Sequence, residues 1–168
     1  MRAKQVVAVA VLLLIAFLLV FPPLAAGSVR VSLSPSSGLP VEHLYVTITE
    51  ISAHRADTNA PSGWSQVTNE STQVDLTMVD STQTIALGSL SLGQYDTIRL
   101  RVTNATAIVN NTSKEVRLVS TVFTVPASFF IGFGAQTTVT LKVASSVQDS
   151  SGVMNVELTF TSAVNPTP

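Results

Sequence analysis

Residues 90–102 read Leu-Ser-Leu-Gly-Gln-Tyr-Asp-Thr-Ile-Arg-Leu-Arg-Val, and this stretch decides the fold class. Gly93 can adopt the positive φ that a tight turn requires. After it, apolar residues at positions 98, 100 and 102 alternate with polar residues at 97, 99 and 101. This period of two predicts a strand with one buried and one solvated face. Tyr95 has the wrong parity for the buried face, so we expect either a bulge near Asp96 or a ring that covers the opposite face.

Similar alternation recurs along the chain after Gly27, and no window of about a dozen residues has helical periodicity. About eight or nine short strands separated by turn signals predict an all-β fold, specifically an antiparallel β-sandwich of the immunoglobulin or transthyretin kind. A change of parity between Ile48 and Ile51 predicts a bulge near Thr49 or Glu50. The Asn-Asn-Thr-Ser sequence at 110–113 predicts the tip of a β-hairpin.

The N-terminal segment differs in composition from the rest. Arg2 and Lys4 precede an uninterrupted apolar run, Val6 to Phe21, and Pro22-Pro23-Leu24-Ala25-Ala26-Gly27 follows it. This order predicts a secretory signal peptide that is cleaved after Ala26 or Gly27. A retained N-terminal anchor helix in the membrane is the alternative.

The predicted organisation therefore has three parts. Residues 1–27 form the signal peptide or anchor, residues 28–164 form the β-sandwich domain, and residues 165–168 form a Pro-containing tail that does not continue a strand ladder. The body is exported with either outcome, to the exterior or the cell surface, because the basic end stays inside. Membrane contact is expected only through the N-terminal segment, if that segment is not cleaved.

Composition excludes several classes of function. Without Arg2 and Lys4 the nine basic residues become seven, and against ten acidic residues the formal charge is about −3, which argues against nucleic acid as a partner. The absence of cysteine rules out disulfides, zinc–thiolate sites and thiol nucleophiles. Uncharged Ser, Thr, Asn and Gln provide most of the solvation, which suits an acidic exterior because hydroxyls and amides keep their polarity there.

Metal and cofactor sites are not expected. His43 and His54 have carboxylates nearby in the sequence, but neither histidine belongs to a metal-binding motif. We interpret both as surface polar residues beside a bulge and predict no metal and no cofactor.

Catalytic constellations are also missing from the sequence. Asp75 lies between two apolar strand residues and is predicted to point to the wetter face, which argues against a glycosidase-type carboxylate pair with Asp96. Asp96 is expected to pair with Arg99. The chain has no G-x-S-x-G nucleophile elbow. We therefore predict that the protein is not an enzyme.

Four asparagines fit the N-x-[ST] acceptor pattern for glycosylation, and an acceptor must be exposed. A predicted hairpin tip makes two of them the best candidates. The acceptors are Asn69, Asn104, Asn110 and Asn111. Several acceptors in a chain without cysteine favour an archaeal exterior.

Aromatic residues supply the candidate contact sites. The loop-like stretch Phe129-Phe130-Ile131-Gly132-Phe133-Gly134 is predicted either to plug the core or, if exposed, to form an apolar contact surface. Tyr45, Trp64 and Tyr95 are candidates for stacking on a carbohydrate or anchoring a peptide.

At this point the sequence resembles a known family, the domain of unknown function 4382. The resemblance extends over roughly residues 29–143, and its most recognisable motif is Gly-x-Tyr-x-x-Ile-Arg-Leu. It implies a secreted or surface-anchored β-sandwich domain of bacteria or archaea without an assigned activity. The residues that carry it are Leu44-Tyr45-Val46-Thr47-Ile48, His54-Arg55-Ala56, Gly63-Trp64, Val74-Asp75-Leu76 and Leu92-Gly93-Gln94-Tyr95-Asp96-Thr97-Ile98-Arg99-Leu100.

Two functions follow as hypotheses. The first is a non-enzymatic structural, adhesive or assembly module of the cell envelope. Its partners are other envelope proteins or further copies of itself, through edge pairing of the terminal strands around Val29–Leu33 or Asn155–Ser162. The alternative is a carbohydrate- or peptide-binding module.

Overall fold

A computed structural model describes residues 26–35, 40–59, 61–79, 81–150 and 153–166 of the 168-residue chain. In these residues no helix is long and apolar enough to span a membrane. The predicted signal peptide or anchor helix falls, up to residue 25, outside the described residues. The strands are β1 (Ala26–Pro35), β2 (His43–Arg55), β3 (Trp64–Thr68), β4 (Thr72–Asp75), β5 (Gln83–Ser91), β6 (Gly93–Val109), β7 (Thr112–Leu118), β8 (Val122–Ile131), β9 (Gln136–Ser150) and β10 (Val153–Pro166).

The strands form one nearly closed, barrel-like sheet. Its order is β3-β2-β6-β7-β10-β9-β1-β5, while β4 pairs with β2 and β8 pairs with β6. The two ends of this path approach each other, because the Thr72 hydroxyl in β4 donates to the Ile85 carbonyl in β5 at 3.4 Å. Gly88 of β5 packs so closely on the Val67 backbone in β3 that a side chain would not fit. The apolar face of the sheet is thereby enclosed on nearly all sides.

Strand β6 organises the sheet, as its sequence predicts. It pairs with β2 along one edge, and with β8 and then β7 along the other. Ile98, Leu100 and Val102 are fully buried. Gly93 has a φ of 143°, a value that L side chains rarely adopt.

The predicted bulges and hairpin are confirmed. In the β2–β6 ladder, His54 pairs with Thr97 and Arg55 with Tyr95, so Asp96 is the extra residue of a bulge. A second irregularity lies between Ile48 and Glu50. At the tip between β6 and β7, two consecutive asparagines have φ of 50° and 58°, as a two-residue type I′ turn requires.

The all-β prediction is confirmed, whereas the β-sandwich is not. The hydrogen-bonded path is continuous through β7, which pairs antiparallel with β6 and parallel with β10. A second parallel pair joins β1 to β9, so the sheet is not purely antiparallel. Alternation along a strand reports which face is buried, but it carries no information about the direction of the neighbouring strand.

The strands at both ends extend beyond the predicted domain limits of 28 and 164. Strand β1 begins at Ala26, and Gly27 is already buried. Strand β10 pairs with β9 through Asn165 and Pro166, so the first two residues of the predicted tail continue the ladder. Proline is tolerated there because the missing N–H falls at the last residue of the strand.

Tyr95 should be the most sensitive position in the core. Its ring is fully buried and stacked on Phe129 at 5.3 Å, and its hydroxyl donates to the Ser91 carbonyl at 3.0 Å. We expect Tyr95→Ala to lower the free energy of unfolding by about 3–5 kcal/mol through cavity formation. Tyr95→Phe, which removes only the hydrogen bond, should cost about 1 kcal/mol. Urea denaturation of the purified chain measures both, and equal losses would contradict this account.

Candidate functional site

The outer face of β3, β2 and β6 carries a covered polar cluster. Trp64 of β3 lies opposite His54 of β2, and Arg99 of β6 lies opposite Ser52 of β2. Strands β3 and β6 flank β2 on its two sides, and each lies about 4.7–4.9 Å from it, so β3 and β6 are about 9–10 Å apart. The Arg99 guanidinium carbon is nevertheless 4.2 Å from the centroid of the Trp64 ring. The two side chains must therefore meet above β2.

This cation–π pair covers the polar residues beneath it. Ser52 and His54 are only 3% and 7% exposed, although both lie on the side of the sheet that faces away from the core. The His54 ring also contacts Trp64, with centroids 5.0 Å apart. Glu50 accepts a hydrogen bond from Arg101 at 3.3 Å and lies 3.8 Å from Arg99, so one carboxylate serves two guanidinium groups.

Both ring nitrogens of His54 face hydrogen-bond acceptors. Nδ1 is 3.0 Å from a carboxylate oxygen of Asp96, and Nε2 is 3.0 Å from the Ser62 carbonyl oxygen. Hydrogen bonding from the Thr97 side chain, followed by that from His54, holds the pKa of Asp96 below its ordinary value despite partial desolvation. The carboxylate and the carbonyl are both hydrogen-bond acceptors, so the His54 ring ties the Asp96 bulge of β6 to the loop at Ser62.

The grouping of Ser52, His54 and Asp96 is not arranged as a catalytic triad. A triad needs the second ring nitrogen to bind the serine hydroxyl. Here Nε2 faces the Ser62 carbonyl instead, and the buried Ser52 hydroxyl has no hydrogen-bond partner among the residues that the structure describes. In the described part of the chain, no group of three or more His, Cys, Asp or Glu side chains is arranged to hold a metal ion. The cluster fixes the loop between β2 and β3.

The expected Asp96–Arg99 pair is wrong. Asp96 pairs with His54 because the bulge turns its side chain away from the register of Arg99. Asp75 lies opposite Tyr45 in the β2–β4 ladder, on the face away from the core as predicted, but this face is covered there and the residue is only 9% exposed. Strand β4 ends at Asp75, and the chain turns there so that the carboxylate caps the next residues.

Asp75 is held by four donors. These are the Thr77 N–H at 3.0 Å, the Thr77 hydroxyl at 2.7 Å, His43 Nδ1 at 2.7 Å and the Leu44 N–H at 3.4 Å. Burial by itself would raise the pKa of Asp75, but these hydrogen bonds outweigh it and lower the pKa below its ordinary value. The carboxylate thus ties β4 to the start of β2.

The aromatic candidates divide into two groups. Phe129 is buried against Tyr95, so within the Phe-rich stretch it belongs to the core. Phe130 is 61% exposed and Phe133 is 76% exposed. Tyr45 is half-buried and stacks on His43 with centroids 5.5 Å apart, and the half-buried Trp64 is enclosed by Arg99 and His54. The stretch predicted as a loop is the end of β8, where alternate side chains point inward and outward.

A groove that the sequence did not predict runs between β8 and β10. No ladder joins these strands in the described residues, and the sheet is bridged there by side chains: the Ser162 hydroxyl donates to the Pro126 carbonyl at 2.5 Å, and Phe123 contacts Phe160 at 4.8 Å. The groove has a volume of about 520 Å³, and its lining includes Gln94, Ser128, Phe130, Gly132, Thr137 and Val164. Only the tertiary fold brings these distant segments together.

The remaining predicted sites lie at the surface or along strand edges. The four acceptor asparagines are all exposed, at the turn after β3 (Asn69), in β6 (Asn104) and at the β6–β7 tip (Asn110 and Asn111). Strand β1, which contains Val29–Leu33, is not an edge, because it pairs with β5 on one side and β9 on the other. Strand β10 pairs with β7 only at residues 154–156, so its edge beyond Val156 faces β8 without a ladder.

Comparison with known protein families identifies the family of this chain. The model of a family described as a domain of unknown function (DUF4382) matches residues 26–166. No curated protein and no solved structure matches the chain.

Trp64, the single tryptophan of the chain, should report the packing of His54, whose ring contacts it. We expect His54→Ala to shift the Trp64 emission to longer wavelength, because the variant loses both this ring contact and the hydrogen bond to the Ser62 carbonyl that holds the loop before Trp64. His43→Ala, which removes the other histidine of β2, is the matched control and should keep the wild-type emission. An unchanged emission in His54→Ala, or an equal shift in His43→Ala, would contradict this packing.

Asp75 should make stability depend on acid. A carboxyl with a lowered pKa in the folded state stabilises it above the unfolded pKa, and this contribution is lost as the pH falls through the folded pKa. We expect Asp75→Asn to be less stable than wild type at neutral pH and to lose less stability on acidification below about pH 4. Asp57→Asn, which removes a carboxylate from an exposed ion pair, is the control and should change little. Urea midpoints measured across the acidic range would reveal parallel curves if this were wrong.

Proposed function

This chain belongs to the DUF4382 family, since the match spans most of its length, and we propose that it is a non-enzymatic, exported module of the cell envelope that acts through structural or adhesive contacts. The observation that carries the proposal is the state of its polar side chains. Both nitrogens of His54, and the Asp75 carboxylate with four donors, are engaged in hydrogen bonds that hold strands together. Such groups serve the fold and are not free to act as a base.

Glycosylation provides a second line of support. The four acceptor sequences lie on β6 and on the turns after β3 and β6, whereas β1, β5, β9 and β10 contain none. We propose that these asparagines carry glycans and that the chain comes from an archaeal exterior. Sugars would then shield one half of the surface and leave the half formed by β10, β9, β1 and β5 open for protein contacts.

The unshielded half has a surface suited to assembly. Many outer residues of the β9–β10 ladder are small and uncharged, as in the pairs Thr159 with Ala144 and Ala163 with Thr140, while Lys142 and Glu157 are exposed charged residues of the same surface. The Val156 carbonyl accepts a hydrogen bond from the Val119 N–H, on the side of β10 away from β9. Because main-chain groups alternate in direction along a strand, every second residue of β10 counted from Val156 directs its N–H and C=O away from β9. Strand β10 therefore replaces β1 as the edge through which pairing with a neighbour is proposed.

Binding of carbohydrate or peptide is the second candidate. It is favoured by the half-buried Tyr45, whose ring stacks on the exposed His43 on the outer surface of β2. Trp64 is less suited to stacking, because the Arg99 guanidinium lies over its ring and His54 contacts it as well.

The absence of cysteine makes a single-site crosslinking test possible. Thr161→Cys, exposed on β10, carries a photoactivatable maleimide in intact envelopes of the native host. We expect adducts with a second copy or with another envelope protein. Met78→Cys, 54% exposed beyond β4, is the control and should yield few adducts. Adducts with polysaccharide alone would favour the second candidate, and a chain that remains monomeric at both positions would refute the assembly role.

A further inference from the structure

The point where the chain enters the domain lies against the turn between β8 and β9. The Ser28 N–H donates to the Ala135 carbonyl at 2.9 Å, and the Gly134 N–H approaches the Ala26 carbonyl at 3.5 Å. Gly27 packs so closely on the Gly132 carbonyl oxygen that a side chain would not fit. The first residues of β1 and this turn thus form one packed unit.

This turn and the adjoining end of β8 present two exposed aromatic rings. Phe133 is 76% exposed and Phe130 is 61% exposed, whereas Phe129 and Ile131 between and beside them are buried. Leaving a phenylalanine side chain in water forgoes about 1.5–3 kcal/mol relative to burying it. Two such rings close together in the sequence, beside the groove between β8 and β10, are unlike isolated surface apolar residues and mark a contact surface.

The sequence places an apolar segment next to these rings. The uninterrupted run from Val6 to Phe21 ends five residues before Ala26. Five residues span at most about 18 Å even when fully extended. The link between the run and Ala26, which lies beside the turn that carries Phe133, can therefore be no longer than about 18 Å.

Cleavage after Ala26, the first of the two predicted sites, fits poorly with this packing. Removal of the segment after Ala26 would place a charged amino group on Gly27, which is buried in β1. Burying an unpaired charge is costly. An intact N-terminal segment avoids this buried charge.

The ion pair near this point does not give the surface a net charge, because Arg55, which lies beside Gly93, is paired with Asp57.

The geometry points to a membrane-apposed domain: the N-terminal segment is retained in the bilayer, and Phe130 and Phe133 insert into the interface of that same membrane. Aromatic side chains are enriched at membrane interfaces, and phenylalanine is common on the apolar side of surface-bound segments. The bilayer is the occupant of this surface because the apolar run holds it within reach. The contact fixes which end of the domain faces the membrane.

A single-cysteine label tests the contact in the full chain, which has no native cysteine. Phe133→Cys and Val119→Cys each carry an environment-sensitive fluorophore, and the 168-residue chain is reconstituted into phosphatidylcholine vesicles. Val119 is the matched control, because it is 66% exposed and lies in the turn between β7 and β8, away from the point where the chain enters. We expect a blue shift and quenching by nitroxide-labelled lipids at position 133, and neither effect at position 119.

Each alternative outcome overturns the proposal. An aqueous spectrum at position 133, equal to that at position 119, would show that the rings do not reach the bilayer. A blue shift without lipid quenching would assign the surface to a protein contact, with a second copy or with the N-terminal segment. A native chain that begins at or after Gly27 would show that no anchor remains. The envelope role itself is judged by the crosslinks at Thr161 and does not depend on this result.

Discussion

The bulge at Asp96 is the constraint on which the rest of the structure depends. One extra residue in β6 reverses the parity of the strand, so that Tyr95 turns into the core while Ile98 and Leu100 remain there. Without it, the ring that stacks on Phe129 would lie on the outer face. The same residue aims its carboxylate at His54, which in turn holds the Ser62 carbonyl and the loop before Trp64.

The closure of the sheet has a second physical basis. Strand β1 is inserted between β5 and β9, and β7 joins β6 to β10, so the curved sheet has few open edges. Where β8 and β10 run side by side without a ladder, hydroxyl groups of Ser162 and Thr137 satisfy carbonyls of β8. These side-chain bridges hold β8 beside β10 without using the main-chain groups of β10 beyond Val156.

These surfaces lie on different sides of the domain. Acceptor asparagines are confined to β6 and the turns after β3 and β6, while the aromatic turn with Phe133 lies where the chain enters. A membrane on one end, sugars on one side and a protein contact on the opposite side are mutually compatible. The titratable groups that might suggest chemistry, His43, His54, Asp75 and Asp96, are instead structural ties between strands.

The sequence by itself determined the features that depend only on residues close together in the chain. Alternation located the strands, parity changes located the bulges at Asp96 and near Thr49, and the paired asparagines located the hairpin tip. The family motif is of this kind as well. These succeed because the side-chain period of a strand and the backbone demands of a turn are properties of neighbouring residues.

Only the tertiary structure decided which strands are partners and which side chains meet. Two parallel pairs, the burial of Asp75, the pairing of Asp96 with His54 and the separation of Phe129 from Phe130 and Phe133 all depend on residues far apart in the chain. Alternation gives each side chain a face but does not say whether that face is later covered. Trp64 and Arg99 demonstrate the point, since they bury Ser52 on the face that periodicity assigns to solvent.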